Sequence, residues 1–320
     1  MSTDVWVIAE HRDGAITEGT FELLGAARGL GAASGGHAVA VVLGSGTGSL
    51  AAELGAADRV IAIDHPSLAE FTPTSYGAAL APLVREREPR LVLVANTGVG
   101  MDVAGGLSAA TGYPLAAYVR GIEADDGSPV VTCQLYAGKI EARVRFRDGR
   151  GICTVVAGSF PADAGRAAGS PIIETSGPAA GDARIRFGRL IRPEASDVDI
   201  TRESILVAVG RGIGEADNIG LVEELARALG GAVAASRPIA DAGWLPRSRQ
   251  VGKSGLRVKP RLYLALGISG APEHLEGMRD AELIIAINND PRAPIFGVAH
   301  YGADADILDV VPALTARLTG

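Results

Sequence analysis

The stretch RQVGKSGLRVKPRLYLALGISG, residues 249–270, sets one short apolar run between two loops rich in glycine and serine. The run 261–267 reads as a buried strand, because it is aliphatic, about strand length and closed by glycine. A strand that ends in a Gly/Ser loop and leads into a new element belongs to an α/β protein. In such folds ligands bind outside the carboxyl ends of parallel strands. Neither loop matches the glycine-rich phosphate loop of nucleotide hydrolases.

Outward from this stretch the pattern repeats. SILVAVG (204–210) is a strand followed by the Gly-rich loop RGIGEADNIG. LVEELARALGG is a helix, with apolar residues at 221, 222, 225, 226 and 229 and a glycine stop. AVAAS (232–236) is a strand, and ELIIAINND is a strand with an acidic turn. IFGVAHYG (295–302) is read as the last strand and ADILDVVPALTARLT as a terminal helix. Gly210–Arg211, Ser236–Arg237, Ser269–Gly270 and Asn288–Asp290 follow these strands and should converge on one rim.

The other half shows the same alternation. Strands are expected at 4–10, 37–44, 59–65 and 90–96, with helices at 17–34, 50–57 and 74–88 between them, and Thr17 or Thr20 as an N-cap. Beyond about residue 113 the stretch VVTCQLYAGKIEARVRFRDGRGICTVVAG reads as antiparallel strands with a hairpin turn at DGRG. The fold class is therefore α/β in two domains. The first, residues 1–185, is a parallel α/β sheet with an antiparallel extension; 186–203 is a linker; 204–320 is a doubly wound domain. Residues 161–203 carry frequent Pro, Gly and charge and no sustained period, and read as a strand-like connector or linker.

Composition agrees. The 320 residues are 47% hydrophobic and 21% charged but only 4% aromatic, so the core must be aliphatic and Ala-rich. The 43 glycines fall in turns and not in a repeat. A net charge of −7 argues against binding nucleic acid or an anionic membrane, which need a basic face. Cys133 and Cys153 read as small buried hydrophobes in strands. No segment reads as a signal peptide or membrane span, which gives the expectation of a soluble cytoplasmic protein without direct membrane insertion. His11, His37, His65 and His300 are scattered, and no metal site is read.

The dinucleotide fingerprint fails at Gly210-Arg-Gly-Ile-Gly214, because Glu215 stands where its last glycine belongs. What remains is a Gly-rich turn before a helix, with Arg211 placed for a phosphate or for solvent. Arg237 can stack on a planar ring or pair with Asp241. His274, at the start of a helix on the same rim, is either a structural residue or one that polarises a ligand. There is no nucleophile elbow and no Ser/His/Asp arrangement. Many amides, two arginines, several hydroxyls and one histidine without an acid–base pair suit a bound redox cofactor better than a hydrolase.

The second half closely resembles the FAD domain of electron transfer flavoprotein alpha subunits, the family that includes FixB. VGRG, NIGLVEELARALGGAVAASRPIADAGWLP, QVGKSG, PRLYLALGISGAPEHLEGM and IIAINNDPRAPIFGVAHYGADADILDVVPAL carry the resemblance in order, over about residues 204–315. VWVIAEH and YAGKIEARV match the family's first domain more loosely. The resemblance implies an electron carrier and not an enzyme with its own organic substrate. It implies a heterodimer in which the first domain contacts a beta subunit. FAD would take electrons from flavin dehydrogenases, such as the acyl-CoA type of fatty acid β-oxidation, and give them to a quinone oxidoreductase or similar acceptor.

By matching motifs, Arg211 would contact the adenosine-phosphate side of FAD, and Ser236 and Arg237 would lie at the flavin. Gln250, Val251, Gly252, Lys253 and Ser254 would wrap the ring, with the Ser254 hydroxyl near N5. Gly267, Ser269, Gly270, Ala271, Pro272, Glu273 and His274 would hold the ribityl and pyrimidine side, with His274 near the C2 carbonyl. Asn288, Asp306 and Ile307 would hold the adenosine end. Lys253, Ser254, Leu256, Pro272, Glu273 and His300 depart from the usual family residues. A cation at 253 stabilises a reduced, anionic ring and a carboxylate at 273 opposes it. Alternatives are the alpha subunit of an NADH-dependent electron-bifurcating complex, an NAD-dependent dehydrogenase, which the failed fingerprint disfavours, and a cofactor-free assembly subunit.

Overall fold

The computed structural model describes residues 2–125, 128–136, 138–177, 185–190 and 198–320. The chain divides into two compact units, Met1–Arg189 and Leu190–Gly320. Of the linker expected over 186–203, residues 191–197 lie outside the described residues.

The first unit opens with strand β1 (Val5–Ala9), a short antiparallel ribbon of β2 (His11–Arg12) and β3 (Ala15–Ile16), and helix α1 (Glu18–Ser34). There follow β4 (Ala38–Gly44), α2 (Gly48–Glu53), β5 (Arg59–Asp64), α3 (Pro73–Arg87), β6 (Leu91–Ala95) and α4 (Gly98–Thr111). The last strands are β7 (Leu115–Asp125), β8 (Ser128–Leu135), β9 (Ile140–Arg145), β10 (Gly151–Val155) and β11 (Ile172–Ser176). They form a nine-stranded sheet in the order β11-β5-β4-β1-β6-β10-β7-β8-β9. Pairing is parallel except at β7–β8 and β8–β9. β1, β4, β6 and β10 are apolar or nearly so and buried along their whole length because both faces are covered, whereas β9 and β11 at the two edges are largely exposed. Val5, Val7 and Ala9 enter one core while Trp6 and Ile8 enter the other. Cys133 and Cys153 are buried free thiols in β8 and β10.

Two expectations for this unit change. DGRG is not a hairpin turn. The chain after it returns to the sheet interior as β10, paired parallel to β6 and β7, and so is separated from β9 by two strands. The run GICTV is wholly buried, which a place beside β9 at the sheet edge would not allow. Residues 172–176, inside a stretch read as a strand-like connector or linker, form β11, which belongs to the sheet itself on the opposite edge, parallel to β5.

In the second unit β12 (Ile205–Val209) leads through two 3-10 turns into α5 (Ile219–Ala228), and β13 (Ala232–Ala235) into α6 (Arg237–Asp241). β14 (Leu262–Leu266) leads into α7 (Pro272–Met278). β15 (Leu283–Asn288), β16 (Tyr301–Asp304) and α8 (Ile307–Thr319) complete it. All five strands are parallel, in the order β13-β12-β14-β15-β16. β14 shows why the opening run is apolar throughout. Tyr263 and Ala265 enter the core under α7, while Leu264 and Leu266 enter the core shared with α5 and α8. The last strand is shorter than the sequence suggests. Pro294–Gly297 is a 3-10 turn, and only Tyr301–Asp304 is extended. Pro294 supplies a helical φ and no N–H, which suits the first position of a turn better than a ladder.

In the strand order of the second unit the switch point lies between β12 and β14. There the backbone of the loop after β12 meets the end of β14, and Gly212 N–H donates to the Gly267 carbonyl at 3.1 Å. Gly267 has φ +60°, and a Cβ on it would stand 2.7 Å from the Gly212 Cα. Gly267→Ala is therefore expected to destabilise this unit by about 2–4 kcal/mol, from a left-handed φ and a backbone collision. Chemical denaturation monitored for this unit checks it, and a loss below about 0.5 kcal/mol, the range of an ordinary surface substitution, would contradict the collision.

Candidate functional site

The carboxyl ends of β12, β13, β14 and β15 open onto a cavity of about 730 Å³. That is within the size range of small-molecule and cofactor sites. Its position follows from the topology, since β12 and β14 send their helices to opposite faces of the sheet and leave a crevice between them. All four expected rim segments meet there.

The loop before β14 is fixed at both ends. Val251 N–H donates to the Ala235 carbonyl at 2.9 Å, tying it to the end of β13. Lys253 N–H donates to the Glu273 carbonyl at 2.7 Å and Val258 N–H to the Gly277 carbonyl at 2.8 Å, laying it along α7. Arg257 pairs with Glu276 at 3.2 Å. The approach needs Gly277, because a Cβ there would lie 2.4 Å from the Gly252 nitrogen. The two Gly/Ser loops flanking β14 are thus one bonded assembly.

Four polar side chains on the cavity wall are buried: Ser236, Gln250, His274 and Asn288. Gln250 Nε2 donates to Ser254 Oγ at 3.0 Å. Asn288 Nδ2 donates to the Ile268 carbonyl and its Oδ1 accepts from Asp290 N–H, each at 2.9 Å. His274 Nε2 meets the Tyr263 hydroxyl at 2.9 Å, while its Nδ1 is buried without a hydrogen-bond partner. Burial pushes the His274 pKa down to about 4, and a weaker influence of the Val251 backbone opposes the shift without closing a hydrogen bond of ordinary geometry. The ring is neutral at pH 7.

Charge sits at the mouth. Arg211, Arg237, Lys253 and Glu273 line the cavity and are exposed. Arg237 Nε donates to Asp241 at 3.1 Å, the carboxylate partner weighed from sequence, so its planar head is oriented. Among the described residues no group of three His, Cys, Asp or Glu can hold a metal ion, and no helix is long and apolar enough to cross a membrane.

The chain matches the model described as electron transfer flavoprotein domain over residues 5–180. It matches the electron transfer flavoprotein FAD-binding domain over residues 199–279. The chain belongs to the electron transfer flavoprotein alpha-subunit family. An alpha subunit of Methylophilus methylotrophus is 36% identical over 98% of both chains. One of Thermoanaerobacterium thermosaccharolyticum is 34% identical, covering 98% of this chain and 97% of its own. A protein of Anaerotignum propionicum named acryloyl-CoA reductase electron transfer subunit beta is 33% identical, covering 97% and 94%.

In this family member the cavity wall includes Arg211, Ser236, Arg237, Gln250, Val251, Gly252, Lys253, Ser254, Gly267, Ser269, Ala271, Glu273, His274 and Asn288. Gly270, Pro272, Asp306 and Ile307 are not on it. Gly270 packs against Ile295, and Pro272 starts α7. The Asp306 carboxylate caps α8 by accepting from Leu308 N–H at 2.9 Å, and the Ile307 side chain is in the core. Both follow directly on Ala305, whose N–H donates to the Asn288 carbonyl at 3.2 Å. Gly212 and Ile268 line the cavity without having been singled out. The signal for Gly212 was its place inside the Gly-rich loop, whereas an apolar Ile268 gives none. His300 is structural: its Nδ1 accepts from Ile284 N–H at 3.0 Å, joining β15 to the residue before β16.

The depressed His274 pKa has a measurable consequence. Between pH 6.5 and about 4 the unfolded chain takes up a proton that the folded chain refuses, so stability falls as pH falls through that window. The full effect is on the order of 3 kcal/mol, from 1.36 kcal/mol per pH unit. His274→Gln should flatten the pH dependence of the denaturation midpoint between pH 6.5 and 4.5 relative to the unsubstituted chain. Parallel curves for the two proteins would contradict a buried neutral ring.

Proposed function

We propose that the chain is the FAD-binding subunit of a heterodimeric electron carrier completed by a beta subunit. It takes electrons from flavin dehydrogenases, the acyl-CoA type among them, and passes them to a quinone oxidoreductase or similar acceptor. The observation that carries this reading is the cavity at the β12/β14 switch point, where His274 holds a buried ring nitrogen without a protein partner. A flavin is a flat ring edged with carbonyls and ring nitrogens, and its requirements are donors at that edge and positive charge near it. The wall supplies both, on loops whose glycines let backbone approach closely.

Bound FAD would supply one- and two-electron chemistry; the chain supplies position and electrostatics. Ser254 Oγ accepts from Gln250, which leaves its own proton to donate towards N5. Arg237, oriented by Asp241, offers a guanidinium plane to the ring. Asn288 uses both ends of its amide to hold the rim, so the adenosine end would meet a pre-formed edge that continues to Asp306 and Ile307. Arg211 stands at the turn before α5 for the phosphates. Val251 to Lys253 on one side and Ser269, Ala271, Glu273 and His274 on the other would close on the ring. The Anaerotignum relative's name as a reductase electron transfer subunit supports a carrier role.

The deciding measurement is flavin content. Co-expressed with its beta subunit, the chain should purify yellow and release a stoichiometric amount of FAD on denaturation. A colourless complex that takes up no FAD on reconstitution would overturn the reading. Within a flavin-loaded complex, Lys253→Gln should lower the flavin midpoint potential and Glu273→Gln should raise it, because a cation favours the reduced anionic ring and a carboxylate opposes it. Both groups are exposed, so the shifts should shrink as salt is added. Spectroelectrochemical titration at two ionic strengths reads both effects; potentials that do not move remove Lys253 and Glu273 from the tuning set.

A further inference from the structure

Tyr263 lies in β14 and is fully buried, away from the cavity wall. Among the described residues its hydroxyl has one hydrogen-bond partner, Nε2 of His274, at 2.9 Å. A phenol carries one proton, and a buried O–H left unpaired costs about 1–3 kcal/mol. If Tyr263 accepted from Nε2–H, its own proton would have no acceptor. In that case Nδ1, which has no partner either, would be a second unpaired group; with Tyr263 donating and Nε2 accepting, the one unpaired donor is Nδ1–H, on a residue that lines the cavity. Burial favours the uncharged form of both groups, raising the Tyr263 pKa and lowering that of His274. A neutral imidazole that accepts at Nε2 carries its proton on Nδ1.

The Nδ1 atom is buried and has no hydrogen-bond partner. His274 lines the cavity while Nε2 is turned back to β14. A buried N–H without an acceptor is costly until one arrives. We infer that Tyr263 is a positioning residue for this site: by donating to Nε2 it fixes His274 as the Nδ1–H tautomer and makes the ring a hydrogen-bond donor to a carbonyl oxygen of the bound molecule. Only the naming of that carbonyl, as one on the isoalloxazine of FAD, rests on the flavin reading. The tautomer stands on the protein alone.

The test uses the full chain labelled with 15N-histidine, assembled with its unlabelled beta subunit, before and after saturation with FAD. Long-range 1H–15N spectra at pH 7 report which ring nitrogen bears the proton, and His274→Gln identifies the His274 signals. The expected result is the Nδ1–H tautomer in the unsubstituted chain. Tyr263→Phe, which keeps the ring and its packing, should raise the Nε2–H fraction and weaken FAD binding about two- to tenfold, the range of one hydrogen bond. An Nε2–H tautomer in the unsubstituted chain overturns the proposal, whether or not Tyr263→Phe folds. A tautomer unchanged in folded Tyr263→Phe overturns it as well. An Nδ1–H tautomer in a complex that takes up no FAD supports the tautomer assignment and overturns the flavin reading instead.

Discussion

The backbone contact between Gly212 and Gly267 closes the point at which two adjacent parallel strands, β12 and β14, send their chains to opposite faces of the sheet. Every feature of the site descends from it. With no side chain at either position the two strand ends stay side by side, and the loops leaving them diverge around a cavity. The glycine at 252 and the one at 277 do the same for the second approach, seating the loop before β14 against α7. The walls therefore combine glycine-rich backbone with polar side chains, and the loops that carry them are bonded to one another.

Within that frame the charges and the buried polar groups are separated. Ser236, Gln250, His274 and Asn288 are sequestered, and three of them already bond to protein groups. The formal charges of Arg211, Arg237, Lys253 and Glu273 stay at the mouth in contact with water. For the proposed flavin carrier this division has a physical rationale. Neutral, oriented donors would fix a bound ring without the desolvation penalty of a buried ion. Solvated charges would adjust its electronics by smaller, salt-sensitive amounts. The neutral His274 belongs to the first group, because burial and not a charged neighbour sets its state.

Much of this was legible in the residues. The doubly wound unit follows from strand–loop–helix alternation, and the rim from the polar or Gly-rich residues that follow each strand. The pairing of Arg237 with Asp241 was visible as an i, i+4 option. Less legible was anything that depends on where a strand goes after it leaves its neighbour. GICTV reads equally well as the next strand of a meander and as an insertion into the parallel sheet, since a buried strand has the same composition in both places. The strands at 115–125 and 172–176 have mixed exposure and weak periodicity, so no pattern announces them. Asp306 and Ile307 have residue types that fit a rim as well as a helix start.

The sequence alone determined the fold class, the presence of two α/β units, the family, and which loops meet at the cavity. These depend on local periodicity, on glycine and on motif order, which the chain carries residue by residue. The tertiary structure decided strand order, the insertion of β10, the bonded union of the two loops around β14, and the pairing of Tyr263 with His274. Tyr263 reads as one more apolar strand residue until α7 is packed across β14. Only then does its hydroxyl find a ring nitrogen eleven positions away, because a hydrogen bond in the core is set by which elements meet and not by the composition of either.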